Sequence, residues 1–214
     1  MKKEGRDRLR GFIEIFAVIA LFIFFAYLVQ ANYDYFQGLL GDKQGGMFYY
    51  FIISVVSILI APISATPLLP VAANLWGWLN AAIISVVGWT IGAWLAFIIG
   101  RKYGIAIVKR FVSMEKIHKA EAKIPRDHLF WSVVIFRIIL PTDILSYALG
   151  IFTKMKTSRY ILATILGLIP FTFALAYLGT IPILYQVIVF VVGIIIIGIL
   201  FLARYFIFSK NQNA

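Results

Sequence analysis

Long apolar runs, separated by short polar or charged segments, make up most of this chain. The runs 11–29, 81–99, 160–178 and 184–206 are each about as long as a bilayer-spanning helix, which takes roughly 20 residues. The composition agrees, since 62% of the residues are hydrophobic and 14% are charged, outside the usual range of soluble domains. The pattern predicts an all-α integral membrane protein with N-terminal and C-terminal transmembrane helices.

A proline-broken apolar stretch lies between two basic segments. It reads DHLFWSVVIFRIILPTDILSYALGIFT (127–153), is broken at Pro141, and is flanked by lysines and arginines in 101–126 and 154–159. Basic loops favour the cytoplasm, so both ends of the stretch are expected on the same side. Two crossings need about 40 apolar residues, which is more than the stretch contains. We therefore expect a re-entrant helical hairpin.

The first half of the chain contains a similar break. The segment APISATPLLPVAANLWGWLN (61–80) carries Pro62, Pro67 and Pro70, which exclude one uninterrupted helix. A polar segment, 32–46, precedes it and is expected to be an outer loop. The chain must then pass from the outside to the basic cluster on the inside. One re-entrant hairpin followed by one spanning helix satisfies that requirement.

The two halves share an order of features and differ in orientation. Pro67 and Pro70 precede Gly77, as Pro141 precedes Gly150, and a glycine-containing span follows in both halves. Repeats of opposite orientation are typical of secondary transporters, whose sites lie where the broken segments meet. The predicted fold is an inverted repeat of two re-entrant helical hairpins, each followed by a transmembrane helix.

We divide the chain into three segments. Residues 1–46 hold the basic N-terminus, the first transmembrane helix and the outer loop. Residues 47–180 form the core, and 181–214 hold the last transmembrane helix and a tail. Within the core, 104–125 has apolar residues at helical spacing with lysines between them, which predicts an amphipathic helix on the cytoplasmic surface. We expect a multi-pass plasma-membrane protein with both termini in the cytoplasm; the oligomeric state, a homo-oligomer included, stays open.

The formal net charge of +11 does not indicate a nucleic-acid partner. The positive residues flank apolar runs, which is explained by orientation and by attraction to anionic headgroups, worth about 1 kcal/mol per residue. The chain has no cysteine, and both histidines, His118 and His128, fall in the cytoplasmic connector. Because the common hydrolase, zinc-protease and phosphate-loop motifs are missing, we expect no enzymatic activity, no metal and no cofactor.

Arg137 and Asp143 are the charged residues of the second hairpin. A charge at membrane depth costs at least about 2.5–3.5 kcal/mol on insertion scales, so each needs a partner or a function. In one interpretation they pair with each other or with carbonyls freed at Pro141. In the other, Arg137 holds an anionic headgroup through its forked donors, and Asp143 is a protonatable partner that couples transport to protons.

Two segments resemble a known family. FRIILPTDILSYALGIFTKMKTSRYILATILGLIPFTFALAYLG (136–179) and TPLLPVAANLWGWLNAAIISVVGWTIGAWLAFIIGRKYG (66–104) are similar to the second and first halves of the DedA/SNARE-associated Golgi protein superfamily, the VTT-domain proteins. The similarity favours the branch of the yeast Golgi-vesicle member. It implies two opposed re-entrant hairpins. It also implies lipid handling, as proton-linked transport of undecaprenyl phosphate or related lipids, or as phospholipid scrambling.

The resemblance also implies roles for individual positions. Arg137 matches the motif arginine, Pro141 the hairpin-tip proline, Gly150 the hairpin-exit glycine, and Arg101 the end of the first repeat. Two positions depart from the pattern. Asp143 and Ser146 stand where this branch commonly has asparagine, and Val71 follows Pro70 where DedA proper has an acidic residue. The resemblance therefore does not extend to proton coupling by a first-hairpin acid, and whether Asp143 replaces that acid stays open.

We expect a lipid flippase or scramblase for phosphate-headgroup lipids such as polyprenyl phosphate or phospholipid. Its partners would be membrane lipids, and protons if Asp143 titrates. One alternative is a small-solute or ion transporter on the same scaffold. Another is a non-transporting membrane-assembly or trafficking protein that acts through the amphipathic helix. The residues expected along the lipid path are Arg137, Asp143, Pro141, Pro67, Pro70, Gly150 and Arg101.

Overall fold

A computed structural model describes residues 2–39, 43–60, 65–104, 129–139 and 142–210. Regular structure in these ranges is helical, as the apolar runs predict. The helices are α1 (Lys2–Ala31), α2 (Tyr33–Leu39), α3 (Lys43–Leu59), a 3₁₀ turn (Thr66–Leu68), α4 (Leu69–Trp76), α5 (Trp78–Ile99) with a π turn (Gly100–Gly104), α6 (Leu129–Ile139), α7 (Thr142–Phe152), α8 (Thr157–Leu178) and α9 (Ile183–Lys210).

Two helices in the described ranges are long and apolar enough to cross a membrane, α5 with its π turn and α8. They form the centre of the molecule and run antiparallel. At one end the Trp78 ring lies 5.7 Å from that of Tyr177. At the other end the Phe97 ring stacks on that of Tyr160, with centroids 4.0 Å apart. We call these the Trp78 end and the Tyr160 end.

The first hairpin packs on α5. Helix α3 runs in the same direction as α5, because Tyr50 bonds Ser85 at 2.7 Å while Ile58, two turns further on, lies against Gly92. The chain then turns back, and by Trp76 it has returned to the level of Tyr50, with ring centroids 5.9 Å apart. Helix α3 therefore starts at the Trp78 end of α5, and α4 ends there.

Prolines determine where this hairpin breaks. Pro67 lies at the start of the 3₁₀ turn and Pro70 in the first turn of α4. A proline lacks the N–H that a helix interior needs, but the first turn has no internal acceptor for that group, so proline is tolerated there. Gly77 then joins α4 to α5 with φ of +87°, a conformation that glycine adopts without a Cβ penalty.

The second hairpin packs on both central helices. Tyr147 lies against Gly100 and Ile151 against Gly104, so α7 runs parallel to α5 and opposite to α8. Arg137 of α6 lies against Gly167 of α8, yet its side chain reaches Tyr160, two turns nearer the start of α8. Helical side chains tilt toward the N-terminus of their own helix, which indicates that α6 runs parallel to α8.

The terminal helices α1 and α9 are antiparallel and meet the core at the turn after α8. Gln30 donates to the carbonyls of Gly179 and Ile181, both at 3.2 Å, and Gln186 donates to Ile181 at 2.8 Å. Further along, Phe22 of α1 lies edge-on to Phe190 of α9. The two helices thus extend away from a common anchor at the Trp78 end.

One expectation about local structure was wrong, and one falls outside the described residues. The segment 32–46, expected to be a loop, contains the whole of α2 and the first residues of α3. Pro170 lies within the continuous helix α8. Its side chain is exposed and so lies on the face of α8 that is not packed against the other helices. Most of the predicted amphipathic helix at 104–125 lies outside the described residues, as do His118 and His128.

Candidate functional site

Arg137 is buried, with only 2% of its surface exposed. Its Nη2 donates to Ser146 Oγ of α7 at 3.0 Å and to Tyr160 Oη of α8. Hydrogen bonds to a charged group are about twice as strong as neutral ones, so these contacts tie α6, α7 and α8 together around the guanidinium. The charge that the sequence singled out is therefore held in a defined position.

Tyr160 links Arg137 to the first half of the chain. Its hydroxyl donates to the carbonyl of Ala93 at 3.1 Å, and its ring is fully buried against Phe97 at an interplanar angle of 11°. Tyr160 has both an apolar face and a polar tip, and it uses both here. Sequence reasoning missed Tyr160 and Phe97 because neither is charged and each lies in an apolar run.

Arg101 lies on the far face of the same stack. Its guanidinium carbon is 4.2 Å from the Phe97 centroid, and since Tyr160 covers one face of that ring, Arg101 covers the other. Its Nη2 donates to the carbonyls of Thr153 at 3.0 Å and Met155 at 2.8 Å. These carbonyls follow the end of α7, where a helix leaves its last acceptors unsatisfied. Unlike Arg137, Arg101 is exposed.

The side chain of Arg137 starts at the level of the middle of α8 and extends toward the Tyr160 end. Its Cβ is opposite Gly167, near the middle of α8, whereas its guanidinium contacts Tyr160 in the first turn. Seven residues of helix correspond to about 10 Å along the axis. The side chain therefore snorkels toward the Tyr160 end, as long basic side chains do in apolar surroundings.

The two halves repeat the same helix contacts at equal spacing. A β-carbon built on Gly88 would lie 2.9 Å from Ser54 Cβ, and one built on Gly167 would lie 2.5 Å from Arg137 Cβ. Gly100 and Gly179, separated by the same distance in sequence as the first pair, each meet the backbone of the opposite hairpin, at Tyr147 and Pro70 respectively. Both central helices contain 22 residues.

This register revises the pairing of glycines proposed from the sequence. Gly77 and Gly150 were paired as hairpin exits, yet Gly77 is a junction between helices while Gly150 lies inside α7. A side chain at Gly150 would collide with the carbonyl of Phe97. Gly150 thus permits α7 to approach α5 where Phe97 and Arg101 reside.

The other predicted path residues are distributed along the molecule. Pro70 packs on Gly179 at the Trp78 end, about 28 Å along α8 from Tyr160 by helix geometry. Pro67 is buried one turn before it. Asp143 lies in the first turn of α7, but its side chain, like the whole of Pro141, lies outside the described residues. The structure therefore brings Arg137, Arg101 and Gly150 together and puts the first-hairpin prolines at the other end.

Within the described ranges, no group of acidic, histidine or cysteine side chains has the geometry of a metal site. Several buried polar atoms there also lack a hydrogen-bond partner. They are Trp89 Nε1, Thr90 Oγ1, Trp94 Nε1, Thr164 Oγ1, Thr172 Oγ1 and Gln186 Oε1. Most belong to α5 and α8. Buried polar atoms are usually hydrogen-bonded, so these two central helices hold an unusual number of unpaired ones.

A helical bundle with two apolar helices of spanning length and a buried arginine is typical of a membrane protein. The family model of the VTT domain matches residues 61–181, more than half of the chain, so the protein belongs to the DedA/SNARE-associated Golgi protein family. This confirms the resemblance found in the sequence. Searches of curated proteins and of solved structures found no match to the chain.

Proposed function

We propose that this membrane protein moves lipids with a phosphate headgroup between the two leaflets. The observation that carries the proposal is Arg137, a buried arginine held where both halves of the chain meet. A charged group in a membrane interior is costly, at about 2.5–3.5 kcal/mol or more, and marks a substrate or ion path by default. A guanidinium binds phosphate oxygens through paired, planar donors.

The helix directions support two re-entrant hairpins. Because α3 and α5 run in parallel, the first hairpin enters from the Trp78 end and returns to it. Helix α8 begins at the Tyr160 end, because it is antiparallel to α5. Since α6 runs parallel to α8, the second hairpin also enters from the Tyr160 end. Non-helical backbone at membrane depth is tolerated where protein surrounds it or a cavity hydrates it. The burial of Arg137 among α6, α7 and α8, and the unpartnered hydroxyls of Thr164 and Thr172, fit that requirement.

Charge and aromatic residues support an orientation in the plasma membrane. Arg101, Lys154 and Lys156 are exposed at the Tyr160 end, which by the positive-inside rule faces the cytoplasm. Trp78 and Tyr177, both partly exposed, lie at the opposite end, where aromatic side chains favour the outer interface. In the proposed orientation both termini lie in the cytoplasm, which is supported by the direction of α1 and α9 away from the Trp78 end.

The proposed activity is tested by leaflet exchange of fluorescent phospholipid in liposomes that contain the purified protein. We expect exchange with the wild type and at least a tenfold slower rate for Arg137→Gln, equal to about 1.4 kcal/mol. Ser54→Ala is the matched control, since Ser54 makes the equivalent contact in the first half. Thermal unfolding of each variant separates loss of function from loss of fold.

Two outcomes would contradict the proposal. Wild-type protein that gives no exchange above protein-free liposomes would remove the function. Arg137→Gln that folds and exchanges at the wild-type rate would remove the arginine from the path. Measuring ion flux in the same liposomes tests the small-solute alternative. Proton coupling stays a prediction, tested by exchange of Asp143→Asn under an imposed pH gradient.

A further inference from the structure

The guanidinium of Arg101 is held in place by hydrogen bonds from only one of its three nitrogens. One nitrogen, Nη2, donates to both Thr153 and Met155, and one face of the guanidinium covers Phe97. Nε and Nη1 make no hydrogen bond to any residue in the described ranges, and the side chain is exposed. Three N–H donors on the remaining edges are therefore fixed in direction and open to a ligand.

Other exposed cations lie close in the chain to Arg101 or to the carbonyls that hold it. Lys154 and Lys156 lie on the same short loop as the carbonyls that hold Arg101, Lys102 follows it on the π turn, and Arg159 lies in the first turn of α8. We call Arg101, Lys102, Lys154, Lys156 and Arg159 the basic rim. Neither the π turn nor the segment 153–160 contains an acidic residue, so the rim presents a local excess of positive charge.

The rim is connected to the buried arginine by a single pair of rings. Arg101 lies on Phe97, Phe97 stacks on Tyr160, and the Arg137 guanidinium carbon is 5.4 Å from the Tyr160 centroid. One arginine is exposed and the other is buried directly behind the stack. Arg101 and Arg137 are thus the exposed and the buried charge on the two sides of this stack.

We propose that Arg101 is the docking site for the phosphate group of a membrane lipid at the mouth of the path, with the rest of the basic rim attracting it. This inference rests on the proposed function and assigns its entry point. The N–H of Nε and the two N–H groups of Nη1 can each donate to a phosphate oxygen from a fixed direction, whereas the ammonium group of a lysine at the same position would rotate freely. The lipid tail would stay in the adjacent leaflet while the headgroup meets Arg101.

The test is direct binding of short-chain lipids to the purified full-length protein in detergent. Dioctanoyl phosphatidic acid is the probe and dioctanoylglycerol, which lacks the phosphate, is its control. We expect tighter binding of the phosphatidic acid. Arg101→Gln and Arg159→Gln each remove one exposed arginine charge, but only Arg101 has a fixed geometry. Arg101→Gln should weaken binding at least about fivefold and Arg159→Gln less than about twofold.

A second variant covers the case in which Arg101→Gln fails to fold because it also releases the end of α7. Lys154→Glu leaves Arg101 in place and puts a negative charge on the rim, so it should weaken binding of the phosphatidic acid and leave that of dioctanoylglycerol unchanged. Equal effects of Arg101→Gln and Arg159→Gln, or no effect of Lys154→Glu, would overturn the docking site. Displacement of the lipid by inorganic phosphate at comparable concentration would show a free-phosphate site and overturn the assignment to lipid.

The result is distinguishable from a failure of the proposed function. If the wild type binds phosphatidic acid through Arg101 but gives no leaflet exchange, the docking site stands and the transport activity falls. If the wild type exchanges lipid and Arg101→Gln binds as Arg159→Gln does, the transport activity stands and the entry point falls.

Discussion

The two halves of the chain use the same packing and different chemistry. In each, a helix of the hairpin lies against a glycine of the following central helix, with Ser54 on Gly88 and Arg137 on Gly167. Around Arg137 the second half adds Tyr160 and Ser146 as hydrogen-bond partners. The residue of α5 at the position equivalent to Tyr160 is Ala81, which has no polar group.

This difference separates what the scaffold requires from what the function requires. Close packing of the hairpin on the central helix occurs twice, so it belongs to the fold. The arginine and its tyrosine occur once, at the end that carries the basic rim. Under the proposed function, we infer that a lipid phosphate meets a bound charge near one leaflet only.

Exchanging the two equivalent residues should have the largest effect. Arg137→Ser should slow leaflet exchange at least about tenfold, and adding Ser54→Arg should not restore it. The first half has no tyrosine at position 81 to receive the guanidinium, so the new charge would be buried without its partners. Leaflet exchange by the double variant, compared with each single variant, measures this. Recovery to the wild-type rate would mean that the halves are functionally interchangeable.

Filling the two contact glycines should affect both halves alike. Gly88→Ala and Gly167→Ala each force a β-carbon into the neighbouring helix, which costs about 1–3 kcal/mol for overpacked sites. Gly193→Ala is the control, because nothing lies within 4 Å of that position and alanine is the better helix former. Midpoints of thermal unfolding in detergent should fall for the first two variants only. A stable Gly167→Ala would argue against the close approach of α6 and α8.

Removing one hydroxyl from each half should sharpen the contrast between stability and function. Tyr160→Phe keeps the stack on Phe97 but loses the bonds to Arg137 and Ala93, and Tyr50→Phe loses the bond to Ser85. Tyr50→Phe should lower the free energy of unfolding by about 1 kcal/mol. Tyr160→Phe should lower it by about 2–3 kcal/mol, because one of its two lost bonds is to a charged group. Leaflet exchange should slow about fivefold for Tyr160→Phe and stay within about twofold for Tyr50→Phe. Equal exchange rates for the two variants would mean that the function does not depend on the Tyr160 end.

Changes at the turn after α8 should have the smallest effect. Asn74 donates to the Gly179 carbonyl at 2.8 Å, and Gln30 donates to the same atom. Because the carbonyl keeps other donors, Asn74→Ala should cost about 0.5–1 kcal/mol of stability and leave leaflet exchange unchanged. Thermal unfolding and exchange measured on the same preparation check both parts. Slower exchange by Asn74→Ala at unchanged stability would extend the functional path to the Trp78 end.

Much of the helical architecture could be predicted from the sequence. Apolar run lengths and the prolines Pro67 and Pro70 indicated the central helices and the first break, and the family match confirms the resemblance that the motifs indicated. The loop expected at 32–46 was wrong because its polar residues are compatible with helix α2. Gly77 and Gly150 were paired from their order along the chain. That pairing was wrong, because order alone does not show which residues of neighbouring helices lie opposite each other.

The sequence by itself determined that the protein lies in a membrane, where the chain must break, and which charge is unusual. These follow from local physics, since hydrophobicity, the missing N–H of proline and the cost of a buried charge belong to single residues. Only the tertiary structure decided that Arg137 meets Tyr160, and that Phe97 separates it from Arg101. Those contacts join residues far apart in the chain, and they depend on how closely glycines allow helices to approach.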